Sequence, residues 1–398
     1  MDRLANTVRP YAWGSTTAIP ELLGTEPTGE PQAEMWMGAH PGAPSRIDRG
    51  AGLVPLSDVI AADPEAELGA ASVAAFGPRL PFLLKLLAAG SPLSLQVHPD
   101  LDRAAEGFAD EERRGVPLDA GHRNYKDPQH KPELICALTP FEGLCGFRHP
   151  AQAADILEGL DVDDLKPYVD ILRAGPEADA LREVLTAVLS AEPTAMAETV
   201  ERAAVAAGKQ AADDGPHAAA YAAYASLAHH YPGDPGVLAA MLLHHVQLQP
   251  GEALFLGAGI PHAYLEGLGV ELMANSDNVL RCGLTPKHVD VPELLRIVRF
   301  DAGDPGVLRP EEVDGEEIYE TPVDEFRLSR FVLAPGAAPR PLESGAPQVL
   351  LCTAGTVVAG TADGGTLTLA PGESAFVPAD ERTTVSGDGT LFRAKVMA

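Results

Sequence analysis

The segment LSLQVHPD, residues 93–100, carries polar side chains at alternate positions. Alternate side chains of an extended strand point to one face, so Ser94, Gln96 and His98 are expected to lie side by side. An amide oxygen and an imidazole on one face can ligate the same metal ion, and the Ser94 hydroxyl can hydrogen-bond a substrate. A lone strand histidine is more often structural, so this face predicts a metal site only if other ligands join it.

Two further candidate ligands come later in the chain. Glu133 in KPELICAL offers a carboxylate, and His262 lies in HVQLQPGEALFLGAGIPHAYLEG, residues 245–267. The second of these segments resembles the second motif of cupins, a family of β-barrel proteins. The matching positions are Gly251, Gly259 and His262, with Gly257 in place of the motif's Pro and Glu266 in place of its Asn. The resemblance implies that His262 is a metal ligand.

A degenerate copy of the same motif stands near residue 375. Pro371-Gly372-Glu373 repeats Pro250-Gly251-Glu252, and a strand-like segment follows each of them. In the second copy Pro378 also fits the motif, but Asp380 replaces a Gly and Thr383 stands where the metal-binding His is expected. We therefore expect two related β barrels, of which only the first binds metal.

The four candidate ligands Gln96, His98, Glu133 and His262 combine two imidazoles with two oxygen donors. This donor set suits Zn²⁺ and leaves room for a water or substrate oxygen. The four cysteines form no CxxC pair, which excludes an all-thiolate structural site.

The elements that must position these residues fall into three blocks. Residues 81–147 read as short strands, residues 151–230 are rich in Ala, Leu and Glu at helical spacing, and strands resume at His245. Helices are expected to start at Pro176 and Pro193 and to stop at Gly208, Gly215 and Gly233. The predicted fold is mainly β with an α insertion: two cupin-like jelly-roll barrels plus a helical domain. We expect a catalytic barrel from residues 1–149 and 242–319, a helical insertion at 150–241, and a C-terminal barrel without metal at 320–398.

The charge balance narrows the class of partner. With 57 acidic and 29 basic residues the formal net charge is -28, which argues against nucleic acid and anionic membranes. An anionic small-molecule substrate then needs local Lys and Arg groups. The first residues show no apolar signal core, Lys85 interrupts the apolar run 80–89, and four sparse cysteines fit a reducing compartment. We expect a cytoplasmic monomer.

The sequence resembles type I phosphomannose isomerases in several blocks, which occur in the family's order along nearly the whole chain. The matching blocks are YAWGS, AEMWMGAHPGAPS, LPFLLKLL, LSLQVHPD, NYKDPQHKPELICAL and GIPHAYLEGLGVELMANSDNVLRCGLTPKHVD. The resemblance implies one zinc held by Gln96, His98, Glu133 and His262. It also implies interconversion of mannose 6-phosphate and fructose 6-phosphate through an enediolate, which needs an electrophile, an acid or base, and anchors for the phosphate.

Many charged and polar side chains follow His262, and three lysines, Lys85, Lys131 and Lys287, lie within the matching blocks. The resemblance implies that Glu271, Arg281 and Lys131 are catalytic, with Glu271 as the candidate for proton transfer, and that Ser94, Lys85, Tyr264 and Lys287 contact substrate. Arg281 is expected to point into the cleft beside the reacting carbons or the phosphate, because a buried guanidinium is costly without an anion. The alternative is that Arg281 pairs with Asp277 or Glu271 and only holds a loop.

Two other functions remain open at this point. One is a different metal-dependent cupin enzyme, such as a dioxygenase or an epimerase, because the fold hosts many chemistries. A redox cupin usually has more histidines than the one in QVH. The other is a carbohydrate-sensing binding protein that has lost catalysis, against which the retained Glu271, Arg281 and Lys287 argue.

Overall fold

A computed structural model describes residues 1–213 and 215–397. The first part of the chain, up to residue 149, forms nine strands and five helices. The strands are β1 (Asp2–Arg3), β2 (Thr7–Arg9), β3 (Glu34–Gly38), β4 (Arg46–Asp48), β5 (Leu53–Pro55), β6 (Phe82–Ala89), β7 (Leu95–Val97), β8 (Glu133–Ala137) and β9 (Phe141–Phe147). The helices are α1 (Ala18–Leu23), α2 (Leu56–Ala62), α3 (Pro64–Leu68), α4 (Ala70–Phe76) and α5 (Leu101–Arg113).

The expected helical block follows directly. Its helices are α6 (Pro150–Glu158), α7 (Lys166–Ala174), α8 (Glu177–Ser190), α9 (Pro193–Ala212), α10 (Ala218–His230) and α11 (Gly236–Met241), with a 3₁₀ turn at Asp163–Leu165. The starts beside Pro176 and Pro193 are confirmed. The stop at Gly208 is wrong, because α9 continues to Ala212. Ala203 and Ala207 bury that helix face in the core, and such packing outweighs the intrinsic helix penalty of a glycine, about 1 kcal/mol.

Strands dominate again after residue 242. They are β10 (Leu243–Leu248), β11 (Ala253–Leu256), β12 (His262–Ala274), β13 (Leu280–Gly283), β14 (Glu312–Val313), β15 (Glu316–Tyr319), β16 (Arg327–Leu333), β17 (Arg340–Pro341), β18 (Gln348–Thr361), β19 (Thr366–Leu369), β20 (Ser374–Val377) and β21 (Thr383–Lys395), with helix α12 at Val291–Ile297. None of the described helices is long and apolar enough to cross a bilayer.

The strands form two large sheets and one β4–β5 pair. The ten-stranded sheet is ordered β10-β9-β12-β6-β3-β2, with β7, β8, β11 and β13 attached through β12. The nine-stranded sheet is ordered β1-β20-β18-β21-β16-β15-β14, with β17 and β19 at its side. Over the described ranges neither pairing pattern closes on itself, so the fold is mainly β with helices and with open sheets. Apolar side chains of both sheets share one core that includes Leu84, Val270 and Phe392, and a second core joins the helical block to β7 and β13.

The two copies of the Pro-Gly-Glu motif form matching turns. Gly251 and Gly372 have φ angles of 90° and 81°, a region that glycine adopts without strain. The carboxylate of Glu252 accepts a hydrogen bond from the Gln249 amide at 2.9 Å, and that of Glu373 accepts one from the Ala370 amide at 2.8 Å. Strands β11 and β20 follow the two turns. The sequence repeat is therefore also a structural repeat.

Candidate active site

Three of the four predicted metal ligands converge where two strands of the ten-stranded sheet begin. Glu133 is the first residue of β8, His262 is the first residue of β12, and His98 directly follows β7. Glu133 Oε2 lies 3.4 Å from His98 Nε2 and 3.3 Å from His262 Nε2, and all three side chains are buried. Two ligand atoms of a tetrahedral zinc, each bonded at 2.0–2.1 Å, lie about 3.3–3.4 Å apart. The spacing therefore fits a single zinc ion between these atoms.

The orientation of both imidazoles supports the same conclusion. His98 Nδ1 donates to the Asn278 carbonyl at 2.7 Å, and His262 Nδ1 donates to the Ile260 carbonyl at 2.9 Å. Each Nε2 therefore directs a lone pair at the Glu133 carboxylate, and neither Nε2 makes a hydrogen bond within the described ranges. Burial lowers the pKa of His98 to about 4, so this ring is neutral at pH 7. Lone pairs that face a carboxylate need a cation between them.

Gln96, the fourth predicted ligand, belongs to β7 and pairs in register with His262 on β12. Its side chain lines a cavity next to His98, Glu133 and His262, which together are called the metal group. On the other side, Lys131 Nζ lies 2.9 Å from Glu133 Oε1 and leaves Oε2 for the imidazoles. Burial by itself would raise the pKa of Glu133, but Lys131 and His98 hold it well below its usual value. Glu133 is therefore a carboxylate at neutral pH.

A second charged group lies on three neighbouring strands, where Trp36, Lys85 and Glu271 are cross-strand partners. Lys85 Nζ lies 2.8 Å from Glu271 Oε2 and 3.6 Å from Glu34 Oε1. The Trp36 indole donates to Glu34 Oε2 at 2.6 Å. Burial raises the pKa of Glu271 even though Lys85 lowers it, with Glu133 and Glu34 adding to the rise. The nearby carboxylates raise the pKa of Lys85, although burial opposes them.

An irregularity in β12 places both groups in one interior. His262 and Glu271 are an odd number of residues apart, so a regular strand would point them to opposite faces. The register shifts between Tyr264 and Glu266, as in a β-bulge, and this shift changes the alternation. Tyr264 is buried beside His262, with ring centroids 6.2 Å apart, and its hydroxyl makes no hydrogen bond to another described residue. Burial, with Glu271 and Glu133 adding, raises the Tyr264 pKa well above its usual value.

A cavity of about 390 Å³ lies next to these groups and is lined by Lys85 and Lys131, the contact partners of Glu271 and Glu133. The side chains of His98, Glu133, His262, Tyr264 and Glu271 lie behind this lining and are not part of it. Lys85 and Gln96 line it from strands β6 and β7, and Ser94 and Lys131 line it from the segments just before β7 and β8. Arg281 and Lys287 line it from β13 and the following turn. Lys287 has its pKa lowered chiefly by the positive charge of Arg281, and burial lowers the pKa of Arg281. These two cations lie close together on one wall.

Arg281 is not held by the acids that the sequence offered as alternative partners. Glu271 pairs with Lys85, and Asp277 lies 3.5 Å from His40 Nε2. Within residues 1–213 and 215–397, no carboxylate lies within ion-pair distance of the Arg281 guanidinium. The wall formed by Arg281 and Lys287 therefore has the charge to bind an anion.

Glu34 and His40 are two buried titratable residues of this cavity that the sequence did not predict. The alternation of Glu34 and Trp36 in AEMWMG was a usable signal, since it places a carboxylate on the same face as a cavity tryptophan. His40 follows β3 in a loop, where no periodicity predicts direction.

Comparison with known proteins identifies the family. A family model described as "Phosphomannose isomerase type I, catalytic domain" matches residues 1–150. The chain is 42% identical to mannose-6-phosphate isomerase of Escherichia coli (strain K12) over 99% of both chains, and 32% identical to that of Homo sapiens over 98% and 97%.

Solved structures agree with these sequence matches. A variant of phosphomannose isomerase from Salmonella typhimurium superposes with a TM-score of 0.92 at 39% identity over 100% of both chains. A mannose 6-phosphate isomerase structure described as "holo; zinc bound" superposes with a TM-score of 0.90 at 39% identity, over 100% of this chain and 99% of the other. With its zinc-spaced ligand group and full-length matches, the chain belongs to the type I phosphomannose isomerase family.

Proposed function

We propose that this protein is a zinc-dependent isomerase that interconverts D-mannose 6-phosphate and D-fructose 6-phosphate. One observation carries the proposal: three buried ligand atoms at zinc spacing lie behind Lys131, which belongs to a cavity wall that also holds Arg281 and Lys287, two cations without an ion-pair partner among the described residues. The cavity of about 390 Å³ lies in the range of small-molecule sites, about 300–1,000 Å³. Relatives over the full chain length are mannose-6-phosphate isomerases.

The proposed zinc site consists of His98, Glu133 and His262, with Gln96 as the fourth ligand. When bound, zinc supplies a Lewis acid for the C1 and C2 oxygens of the sugar. Lys131 keeps Glu133 ionised by its 2.9 Å contact, and the two backbone carbonyls keep both histidines in the ligating tautomer. The protein therefore prepares the ligands before the substrate arrives.

The proposed proton transfer uses Glu271, which takes the proton from C2 and returns it to C1, while the hydroxyl proton of O2 passes to O1 and the carbonyl shifts from C1 to C2. Its contact with Lys85 fixes the carboxylate, and its raised pKa brings it closer to the pH at which a carboxylate both accepts and returns a proton well. Lys85 and Tyr264 are proposed to contact the sugar, as is Ser94 through its hydroxyl. Arg281 and Lys287 are proposed to bind the phosphate and to stabilise the charge that develops on the enediolate.

A coupled assay with mannose 6-phosphate tests this function. Glu271→Gln should lower kcat by about 10²-fold or more while zinc content stays at one per chain. Glu266→Gln is the matched control, because Glu266 lies on the same strand but is exposed. A zinc-loaded wild-type protein without turnover would refute the isomerase proposal, and equal kcat for both variants would remove Glu271 from the mechanism.

The other two candidate functions are not favoured by any observation. A redox cupin is opposed by a ligand group with two histidines and by the full-length similarity to isomerases. A sensing protein is opposed by the intact Lys85–Glu271 pair and by Arg281 and Lys287, which line the cavity.

We also propose the finer architecture expected from the sequence. The ten-stranded sheet would be the catalytic cupin-like jelly roll (1–149 and 242–319), α6 to α11 a helical domain (150–241), and the nine-stranded sheet a second jelly roll (320–398) without metal. The matching turns at Gly251 and Gly372 support a common origin for the two sheets. Strands β1, β14 and β15 pair with the nine-stranded sheet, which would extend the second jelly roll beyond residues 320–398.

We propose a cytoplasmic monomer. The four cysteines, all described, are buried and unpaired, as expected for a reducing compartment. The strong negative charge opposes self-association at neutral pH. Light scattering in solution measures the mass directly.

A further inference from the structure

The segment between α10 and α11 contacts the turn that follows β13. The Asp234 carboxylate accepts three backbone hydrogen bonds: Oδ1 from Gly236 at 2.7 Å and from Leu284 at 3.0 Å, and Oδ2 from Thr285 at 3.0 Å. Two of these donors belong to the wall of the substrate cavity. One side chain from the helical block therefore holds the backbone of the binding site.

The turn that Asp234 holds has an unfavourable conformation of its own. Leu284 has a φ of 55°, which a branched side chain rarely adopts, and it is fully buried. Gly283 has a φ of 121°, and a Cβ atom at this position would collide with the Gly236 backbone. Such a conformation persists only where the surroundings impose it. The hydrogen bonds from Asp234 are the polar part of that constraint.

The turn held by Asp234 connects Arg281 and Lys287, the two cations of the cavity wall. Arg281 precedes the turn, and Lys287 follows it. The Thr285 hydroxyl accepts a hydrogen bond from the Lys287 amide at 3.1 Å, so the residue that Asp234 fixes also fixes the start of Lys287. Two like charges repel each other, and their proximity lowers the pKa of Lys287. Without a rigid turn, this repulsion would separate them.

We propose that Asp234 is a positioning residue, which keeps Arg281 and Lys287 together in the arrangement that binds the substrate phosphate. The inference rests on the proposed function, since it takes the phosphate of the sugar as the anion. It gives the helical block a part in substrate binding.

The test compares Asp234→Ala and Asp234→Asn with wild type, all as zinc-loaded full chains. Asparagine keeps an acceptor for Gly236 and Leu284 but presents an amide N–H to Thr285, so it perturbs the turn with little loss of volume. Asp304→Asn is the matched control, because Asp304 accepts a single bond, from the Gly306 amide at 2.7 Å, in an exposed loop. Calorimetry measures the Kd of inorganic phosphate, kinetics gives KM and kcat for mannose 6-phosphate, and the melting temperature reports stability.

The proposal expects both Asp234 variants to raise the Kd of phosphate and the KM by about 10-fold or more, as for lost hydrogen bonds to a charged group. The kcat should fall by less than the KM rises, because the metal ligands and Glu271 are untouched and only the contact of Arg281 with the developing charge is weakened. Asp304→Asn should match wild type.

An unchanged phosphate Kd in both variants, with only a lower melting temperature, would show that Asp234 is structural and overturn the proposal. A wild-type protein that does not bind phosphate would also overturn it. Phosphate binding that depends on Asp234 in a wild type without isomerase turnover would support the positioning role and refute the proposed function.

Discussion

Asn278 allows the strongest test of how the metal ligands are held. Its backbone carbonyl accepts the hydrogen bond from His98 Nδ1, and its fully buried side chain ties the loop at 126–129. Asn278 Oδ1 accepts from the Lys126 and Asp127 amides at 2.6 and 3.2 Å. Asn278 Nδ2 donates to the Asp127 and Gln129 carbonyls at 2.7 and 2.8 Å. One side chain thus makes four hydrogen bonds of 3.2 Å or less behind the ligand, and Nδ2 has a longer contact of 3.5 Å with Asp127 Oδ1.

Asn278→Ala removes all four bonds and leaves backbone groups without partners. At about 0.5–1.5 kcal/mol per net hydrogen bond, the loss of four bonds should lower the free energy of unfolding by about 2–6 kcal/mol. The carbonyl that orients His98 loses its support at the same time. Loss of a group that orients a metal ligand typically lowers metal affinity by about 10-fold to 100-fold, and we expect that range for zinc.

Chelator competition measures the zinc affinity, and denaturant titration with and without zinc measures stability. Asn6→Ala is the control, since Asn6 makes two side-chain hydrogen bonds, to Ser374 Oγ at 2.8 Å and from Ser45 Oγ at 2.9 Å, apart from the metal group. It should lower stability and leave zinc affinity unchanged. If Asn278→Ala binds zinc as tightly as wild type, the reasoning that Asn278 orients His98 is refuted.

Three further predictions concern Arg281, acid pH and Thr383. Arg281→Ala should lower kcat/KM by about 10²-fold with zinc content and melting temperature retained, and Arg281→Lys should restore part of it; a destabilised variant with near-normal turnover would contradict this. In zinc-free protein, unfolding free energy should fall as pH drops from 6.5 towards 4, by about 3 kcal/mol for His98, because burial lowers its folded pKa to about 4 and only the unfolded ring is protonated in that window. Glu133 also has a lowered pKa, so it should cause a further loss of unfolding free energy at still lower pH. An unfolding free energy that stays constant from pH 7 to 4 would contradict the prediction for His98. Thr383→Ala should leave kcat unchanged, since it lies in the nine-stranded sheet; a large loss would reveal a second site.

The positions of His98 and His262 were predictable because their patterns are local. His98 directly follows strand β7 in the alternating segment 93–98, and His262 follows a turn motif that the chain repeats. Local periodicity and turn chemistry decide such features, and the helical block with its starts at Pro176 and Pro193 was predicted for the same reason.

The contacts between distant strands were not predictable. Lys85 and Glu271 are 186 residues apart, and only the register of β6 against β12 brings them within 2.8 Å. A bulge near Tyr264 reverses the alternation of β12, and a bulge leaves no fixed sequence signature here. Gly208 shows that local signals can also mislead. Glycine usually ends helices, but Gly208 lies inside α9, because the opposite face of that helix is packed into the core.

His98, Glu133 and His262 are proposed to hold one catalytic zinc. Anomalous diffraction at the zinc edge, on crystals of protein whose isomerase activity has been measured, locates the metal and relates it to turnover. We expect a single zinc within about 2.0–2.2 Å of His98 Nε2, His262 Nε2 and a Glu133 oxygen, and loss of activity together with the signal after chelation. A signal at another position, or full activity after the zinc is removed, would contradict it.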